Sequence, residues 1–560
     1  MTSLTRLNLD FKSAFERAFP ECTQLYQGDF LANTGDNYTW KGAPRLTKEL
    51  KLDSTEIAEK IRDQFLSDEG EIKSIHSGII IVAIKVGVII RKLEYMHADS
   101  DRLGVQLSQN PDRVVIDFSS PNVAKELHVG HLRSTIIGES LARILEFLGN
   151  DVFRVNHIGD WGTQFGMLIC LIKYEQMDIS NLDLSDLMKC YREAKKRFDN
   201  DPEFKAQSKK EVVNLQSGDL EAKRMWEQIC QVSRNAFQKI YEDLDVTINE
   251  MGESFYNDML EPLVRELLEK EVAVVSDDAV VVHCDESAPF MLRKSDGGYT
   301  YDTTDLAALN YRIDTLKGNR LIYVVDEGQS QHFQLLWKAG EKAGILDPRK
   351  IQTTHAEFGV VKGIDGKKFK TRSGEVALLK DLIQEAKEKA RETFKKRAEK
   401  DGEFYNEQSA DILGLAALKY ADLKTSRQRD YVFNSDQMLS FKGNTAVFIL
   451  YSLVRIHSIK EKIGKPVSNT PFALNDPKEI ALGLHLTQFD EVLSRVATLL
   501  EPHHLCDFLY QLAVKFNTFY QHCKVQGTPE EDSRLRLCDL VGKVGTLGFK
   551  LLAIRTLEKM

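Results

Sequence analysis

Nowhere in its 560 residues does the chain offer the roughly 20 consecutive apolar positions that a membrane-spanning helix needs. Its longest apolar run, Ile79–Ile84 followed by Val86–Ile90, is broken by Lys85 and Gly87 and reads as buried strand. Cysteines are few and unpatterned: the eight, at positions 22, 170, 190, 230, 284, 506, 523 and 538, include no CxxC pair. That suits reduced thiols in a reducing compartment and excludes a disulfide framework. The opening residues carry Asp10 and Glu16 and lack a continuous apolar core, so neither a secretory nor a transit signal is expected and a cytoplasmic location is. A positive balance is missing as well. Against 84 Asp and Glu stand 75 Lys and Arg, a net charge of −9, which excludes a protein that coats nucleic acid through its overall field; any RNA contact must use local patches.

What is present is an alternation of strands and helices. The length leads us to expect about three domains. Residues 1–110 mix helical segments with a β-rich stretch around 76–90 and read as a small α+β domain. From Arg113 to Phe118 the pattern becomes that of a buried strand, followed by a loop, a helix to Leu148 and a strand from Val152 to Asn156. In that helix Ile137, Leu141, Ile144, Leu145 and Leu148 share one face and Glu139, Arg143 and Glu146 lie opposite. Further elements are expected as a helix near 303–316, a strand at Leu321–Val325, a helix near 330–343 and a strand at Ile351–Thr354. The fold class is therefore α/β, a doubly wound Rossmann-type parallel sheet over 111–435, interrupted by a helical insertion at about 176–270. An all-α bundle over 436–560 follows, in which Leu505, Phe508, Leu509, Leu512, Phe516 and Phe519 mark one apolar face.

Between the first parallel strand and its helix stands SSPNVAKELHVGHLR, residues 119–133. Such a loop is where parallel sheets take nucleotide phosphates, because backbone N–H groups and the helix dipole favour negative charge. His128 and His131, three apart, can face one ligand and donate hydrogen bonds to phosphate oxygens. Gly130 leaves room for close approach. An isolated HxGH is equally compatible with two histidines that merely cap a helix; the surroundings decide.

HVGH, with Pro121 seven residues upstream, resembles the HIGH signature of class I aminoacyl-tRNA synthetases. The longer stretch SSPNVAKELHVGHLRSTIIGESLARILEFLG, then RVNHIGDWGTQFGMLI, KSDGGYTYDTTDLAAL, IYVVDEGQSQHFQ, HAEFGVVKG and FKTRSGE, narrows this to the arginyl-tRNA synthetases, of the eukaryotic cytoplasmic type. The resemblance implies a ligase that activates L-arginine with ATP, Mg²⁺ entering as its companion, and charges tRNA(Arg). It assigns Lys125, His128 and His131, with Lys370 and Arg372 of the FKTRS loop, to the phosphate chemistry. Arginine recognition falls to Asp151 and Asp305 for the guanidinium, Tyr301 and Gln329 beside them, and Asn122 and Asn156 for the amino-acid backbone. ATP is bordered by His128, Gly130, His131, His355, Phe358 and Val360. The GDWG turn at 159–162 reads either as part of the site or as a tight turn with a packed indole. The N-terminal domain takes the place of an added domain that contacts the tRNA elbow, and the segment GNTAVFILYSLVRI from Gly443 opens a bundle similar to the DALR anticodon-binding domain. There Arg455, Lys460 and Lys462 are candidates for phosphate, and Tyr451, Phe519 and Tyr520 for base stacking.

No metal ligand set and no tightly bound cofactor are expected. His503, His504, Cys506, His522 and Cys523 sit in an amphipathic helix whose apolar positions explain the cysteines. Gly159, Gly162 and Gly166 depart from the spacing of a dinucleotide loop. The chain is expected to act as a monomer, with membership of a multi-synthetase complex left open. Two other readings are a different HxGH nucleotidyltransferase, against which the helical tail speaks, and a synthetase paralogue without activity, against which Lys125, His128 and Asp305 speak.

Overall fold

The computed structural model describes residues 3–26, 31–284, 288–363, 365–367, 369, 377–401 and 405–558. Its centre is a five-stranded sheet in the order Gln352–His355, Arg320–Tyr323, Arg113–Asp117, Asp151–Asn156, Asn249–Glu250, parallel throughout. Register aligns Asp117 with Tyr323 and Val155, and Tyr323 with His355, so the loops that follow four strands leave from one edge. Alternation along the strands feeds two cores. Val114 and Ile116 face the helix Val129–Phe147, while Val115, Leu321 and Tyr323 pack with the helices Asn257–Glu269, Tyr301–Asp314 and Ser330–Lys342.

Three helices, Leu184–Asn200, Pro202–Gln216 and Leu220–Asp243, occupy most of the segment expected as a helical insertion. The chain then rejoins the central sheet at Asn249–Glu250, and a three-stranded antiparallel sheet over 274–293 goes beyond the elements read from the sequence.

N-terminally, the helix Ser3–Ala18 and a four-stranded antiparallel sheet form the α+β portion. Ser77 and Gly78, both at positive φ, make the two-residue turn that pairs His76 with Ile79. One expectation changes here: Val86–Ile90 is not strand but the start of a helix, Val86–Ala98, which buries Val88, Ile89, Leu93 and Met96 at helical spacing. A short β-branched run does not distinguish the two states; its continuation does.

The C-terminal half is helical, and the six residues of the apolar face from Leu505 to Phe519 are all buried. Val541–Gly545 lies inside one continuous helix, Glu531–Leu551. The helix Val129–Phe147 is enclosed between sheet and bundle, so Glu139, opposite the apolar face, is buried as well. Arg143 and Arg154 approach its two oxygens at 2.7 and 3.0 Å and neutralise it.

Arg133 of the same helix is fully buried. Its Nε donates to Asp422, also fully buried, at 3.2 Å; one terminal nitrogen donates to the carbonyls of Gly359 (2.7 Å) and Arg429 (3.0 Å). The rings of Phe358 and Tyr431 stand 5.8 and 5.3 Å from the guanidinium. Removing one partner of such a pair strands a buried charge, at about 3–5 kcal/mol. Arg133→Met is therefore expected to lower the denaturation midpoint strongly, and adding Asp422→Leu to restore most of it; equal midpoints for wild type and the single variant would show that the pair carries no stability.

Candidate active site

The loop after the first parallel strand is held in a costly conformation. Ser119, Ser120 and Ala124 all take left-handed backbone angles (φ 69°, 47° and 60°), each at a cost of about 1–3 kcal/mol that neighbours must offset. They do so with specific partners. Ser119 N–H donates to Ser134 Oγ (2.8 Å), Ser120 N–H to Asn156 Oδ1 (2.9 Å) and Ala124 N–H to Ser233 Oγ (3.0 Å).

That loop delivers the two histidines to the helix N-terminus as a reciprocal cap. Gly130 N–H donates to His128 Nδ1 at 3.1 Å and His128 N–H to His131 Nδ1 at 3.0 Å, with the rings 4.0 Å apart. A backbone N–H can only donate, so each Nδ1 presents a lone pair and each neutral ring carries its hydrogen on Nε2. Both rings are neutral at pH 7: burial lowers the His128 pKa, and burial reinforced by the His128 ring takes that of His131 down to about 3. Capping and phosphate binding, weighed as alternatives in the sequence, use opposite nitrogens and coexist. Gly130 is small for a local reason, since a Cβ there would lie 2.9 Å from Cε1 of His128.

Around this cap the expected residues divide. Lys125 is exposed, its Nζ 5.9 Å from the Tyr191 ring of the helix Leu184–Asn200. Asn122 is exposed and crosses Gly159, where a Cβ would meet its Oδ1 at 2.1 Å; Gly159 is thus fixed by close approach. In the rest of the GDWG turn Asp160 accepts from Ser254 N–H and Oγ, and Trp161 meets Trp226 edge to face, a packing arrangement.

Asn156 is buried behind the loop: its Oδ1 takes Ser120 N–H and its Nδ2 donates to Tyr241 Oη (3.1 Å), so it supports the loop. Asp151 needs a larger correction. It begins its strand in register with Arg113, to which it is ion-paired, at the opposite edge of the sheet from the loops that carry the histidines. Five residues of extended strand, about 16 Å, separate it from Asn156.

Asp305, by contrast, sits on the loop edge, 2.7 Å from Nε2 of His332 and 3.5 Å from Nε2 of His157; Asp302 lies 3.5 Å from the other nitrogen of His332. Burial opposes a charge on His332, yet the hydrogen bond from Asp305 and the two carboxylates outweigh it and raise its pKa. Glu253 joins them. Burial, then Asp305 and Asp160, push its pKa up to about 7. Tyr301, largely exposed, stands with its ring 5.5 Å from that of His332, and Gln329 is exposed on the turn Glu327–Gln329. Three acids thus face two imidazoles, an excess of negative charge suited to a cation.

On the far side, His355 closes the sheet edge. Its Nε2 meets Val325 O at 3.1 Å and therefore carries hydrogen; its Nδ1 is 3.3 Å from Ser330 Oγ, and burial lowers its pKa. Phe358 is buried beneath. Val360 has both backbone groups engaged, N–H with Asp430 (2.7 Å) and C=O with Tyr431 N–H (3.3 Å), leaving its side chain to border a ligand. Lys370 and Arg372 lie outside the described residues. In the bundle, Lys460 is tied to Asp539 (2.6 Å) and Phe519 is core, whereas Arg455 lies 5.2 and 5.7 Å from the rings of Tyr451 and half-exposed Tyr520.

Glu253, Asp302 and His332 went unread in the sequence. His332 stands within the quoted IYVVDEGQSQHFQ segment and could have been found there, while Glu253 lies inside the segment expected as the helical insertion and carries no local signal.

The family described as tRNA synthetases class I (R), catalytic domain, matches residues 93–435, and the DALR anticodon binding domain matches residues 449–560. Among curated proteins, the arginine--tRNA ligase of Protochlamydia amoebophila (strain UWE25) is 42% identical, with 98% of each chain covered, and that of Synechocystis sp. (strain ATCC 27184 / PCC 6803 / Kazusa) is 43% identical, with 100% of this chain and 99% of the other covered. Among solved structures, arginyl-tRNA synthetase from Plasmodium falciparum superposes with a TM-score of 0.85 at 33% identity, covering 100% of this chain and 99% of that one. The Thermus thermophilus arginyl-tRNA synthetase, at 23% identity, a TM-score of 0.79 and coverage of 99% and 100%, agrees in fold. By the catalytic-domain match and by relatives aligned end to end, the chain belongs to the class I arginyl-tRNA synthetases.

Proposed function

We infer that the chain ligates L-arginine to tRNA(Arg) through an arginyl-adenylate. An arginine carboxylate oxygen attacks the α-phosphorus of ATP, the bond to the β-phosphate breaks, and pyrophosphate departs. A ribose hydroxyl at the 3′ end of the tRNA then attacks the activated carbonyl and AMP leaves. The observation that carries this reading is the placement, on one sheet edge, of two neutral histidines with N–H donors and a pocket of three acids. His128 and His131 donate from Nε2 to phosphate oxygens whose charge grows in the transition state, and Lys125 adds a mobile cation. Asp305, oriented by His332, accepts from the guanidinium, with Asp302 and Glu253 supplying field and Tyr301 and Gln329 the walls. Asn122 serves the amino-acid backbone, and His355, Phe358 and the Val360 side chain border adenine. Mg²⁺ enters with ATP.

The domains divide the work: 1–110 meets the tRNA, 111–435 carries the chemistry and 436–560 reads the anticodon through Arg455, Tyr451 and Tyr520. None of the eight cysteines forms a disulfide, in keeping with the cytoplasm, and the enzyme works as a monomer. The curated relatives named above are bacterial, and the eukaryotic cytoplasmic type rests on the motif resemblance and the Plasmodium structure. Charging total tRNA with each amino acid in turn tests the whole reading: arginine alone should be attached, and attachment of another amino acid or of none would overturn it.

His131→Ala and Lys125→Ala are each expected to lower arginine-dependent pyrophosphate exchange by about 100-fold, the scale of losing one transition-state donor; near-normal exchange in folded variants would remove them from the phosphate site. Asp305→Asn should raise the KM for arginine far more than that for ATP, because an amide places a donor against a guanidinium; an unchanged KM for arginine would place Asp305 outside the pocket. The His131 ring should not titrate between about pH 5.5 and 8 in nitrogen-15 NMR of the folded enzyme. Folding depresses its pKa, so its contribution to stability is complete above about pH 6.5 and is lost as pH falls toward 3. An imidazolium transition near 6.5 in the folded state would refute the tautomer assignment.

A further inference from the structure

Away from the nucleotide edge, three potential ligands converge where no role has been given. The helix Phe489–Leu499 ends on Leu500 in the left-handed region (φ 56°), and the helix His503–His522 begins just after Pro502 (φ −58°). This turn aims Glu501, His503 and His504 at one point. Glu501 Oε2 lies 3.1 Å from His504 Nε2 and 4.0 Å from His503 Nε2, the rings are 4.1 Å apart, and one ligand atom from each residue lies within 4.8 Å of the others. The side chains keep only 15–19% of their surface. The buried Nδ1 of His503 has no hydrogen-bond partner among the described residues.

We propose that Glu501, His503 and His504 hold one divalent transition ion of the zinc class. Two imidazoles and a carboxylate suit Zn²⁺, Co²⁺ or Ni²⁺ in preference to Mg²⁺. With metal–ligand distances of about 2.0–2.2 Å, the donor atoms of a tetrahedral site stand about 3.3 Å apart. The Glu501–His504 edge is already there, and modest side-chain rotation closes the others. A fourth position falls to water. Coordination needs unprotonated imidazoles, and burial, with Arg495 nearby, lowers the pKa of both. The surrounding charge is mixed, Asp507 opposing Arg495 and Arg429, so coordination strength rather than net field selects the ion.

The sequence reading weighed His503 and His504 with Cys506, His522 and Cys523. Cys506 and Cys523 are buried in the bundle core, His522 bonds its own helix at Thr518 O, and the third ligand is Glu501, upstream of the helix. The site also has a place in the architecture. Arg427 donates to Leu500 O (2.9 Å) and to Glu357 O (2.6 Å), so the turn is tied to the segment that ends in Phe358.

The test uses full-length chain without a polyhistidine tag, stripped with chelator and titrated with Co²⁺. One equivalent should give visible ligand-field absorption and raise the melting midpoint. His504→Ala and Glu501→Gln, each checked for fold by circular dichroism, should weaken Co²⁺ binding about 100-fold or more, the upper end of what loss of even a supporting residue costs. His522→Ala should leave it unchanged. Absence of a Co²⁺ band in folded wild type, or a band of equal affinity in both site variants, overturns the proposal without touching arginine activation.

Discussion

Burying the guanidinium of Arg133 against Asp422 commits three distant stretches of chain to one arrangement. A charge removed from water is tolerated only when partners close by compensate it, and here the acceptors come from the helix Glu407–Leu423, from Gly359 beside the sheet and from Arg429. Arg133 stands two residues after His131, so the cap is positioned by the same contact that positions Phe358. Any shift of the bundle-side helix would expose or strand the charge. The histidine cap and Phe358 are therefore set against each other by a residue that belongs to neither.

The cluster around Asp305 is built on the opposite principle, an unbalanced charge kept near the surface. Asp305 keeps about a quarter of its side-chain surface, and its partners are imidazoles rather than guanidinium or ammonium groups. Buried Asp117, one strand away, is already neutralised by Arg312 at 2.6 Å. The contrast separates two acids near a single edge: Asp117 has a permanent cation, whereas Asp305 has only imidazoles that a stronger cation could displace. Glu253 is pushed up to about 7 by burial first and by the charges of Asp305 and Asp160 after it.

Much of this was legible in the sequence, and the failures have physical causes. Periodicity located the helix Val129–Phe147 and the apolar face from Leu505 to Phe519, because a 3.6-residue repeat is a local signal. Strand polarity is local too, but which strand end meets the ligand is not: Asp151 has a plausible carboxylate for a guanidinium and lies at the wrong edge of the sheet. Asn156 occupies the loop edge, and the bonds it makes to Ser120 and Tyr241, which fix the loop, go to partners that no spacing announces. Glu139 lies opposite the apolar face that periodicity gives its helix, and a helix covered on both faces looks amphipathic until its second neighbour is known. Its two arginines, one of them on the next strand, were the available clue.

The N-terminal portion and the bundle are joined by contacts of the same kind, and this sets how the ends of the molecule can influence each other. Glu491, on the helix Phe489–Leu499, accepts from the N–H of Leu4 and from the hydroxyl of Tyr38, and Glu94 binds Arg536 at 2.8 Å while also accepting Phe472 N–H. Burial, followed by the charge of Asp490, pushes Glu491 up to about 7, so this junction stores an electrostatic cost that is relieved only while its donors stay in place. The same bundle helix packs against Val129–Phe147, and Arg427 ties its C-terminal turn to Glu357. A ligand bound across the N-terminal sheet and the bundle thus acts on elements that touch both the histidine cap and the adenine side. Influence of one end of the molecule on the other can then run through how firmly this one shared helix is held.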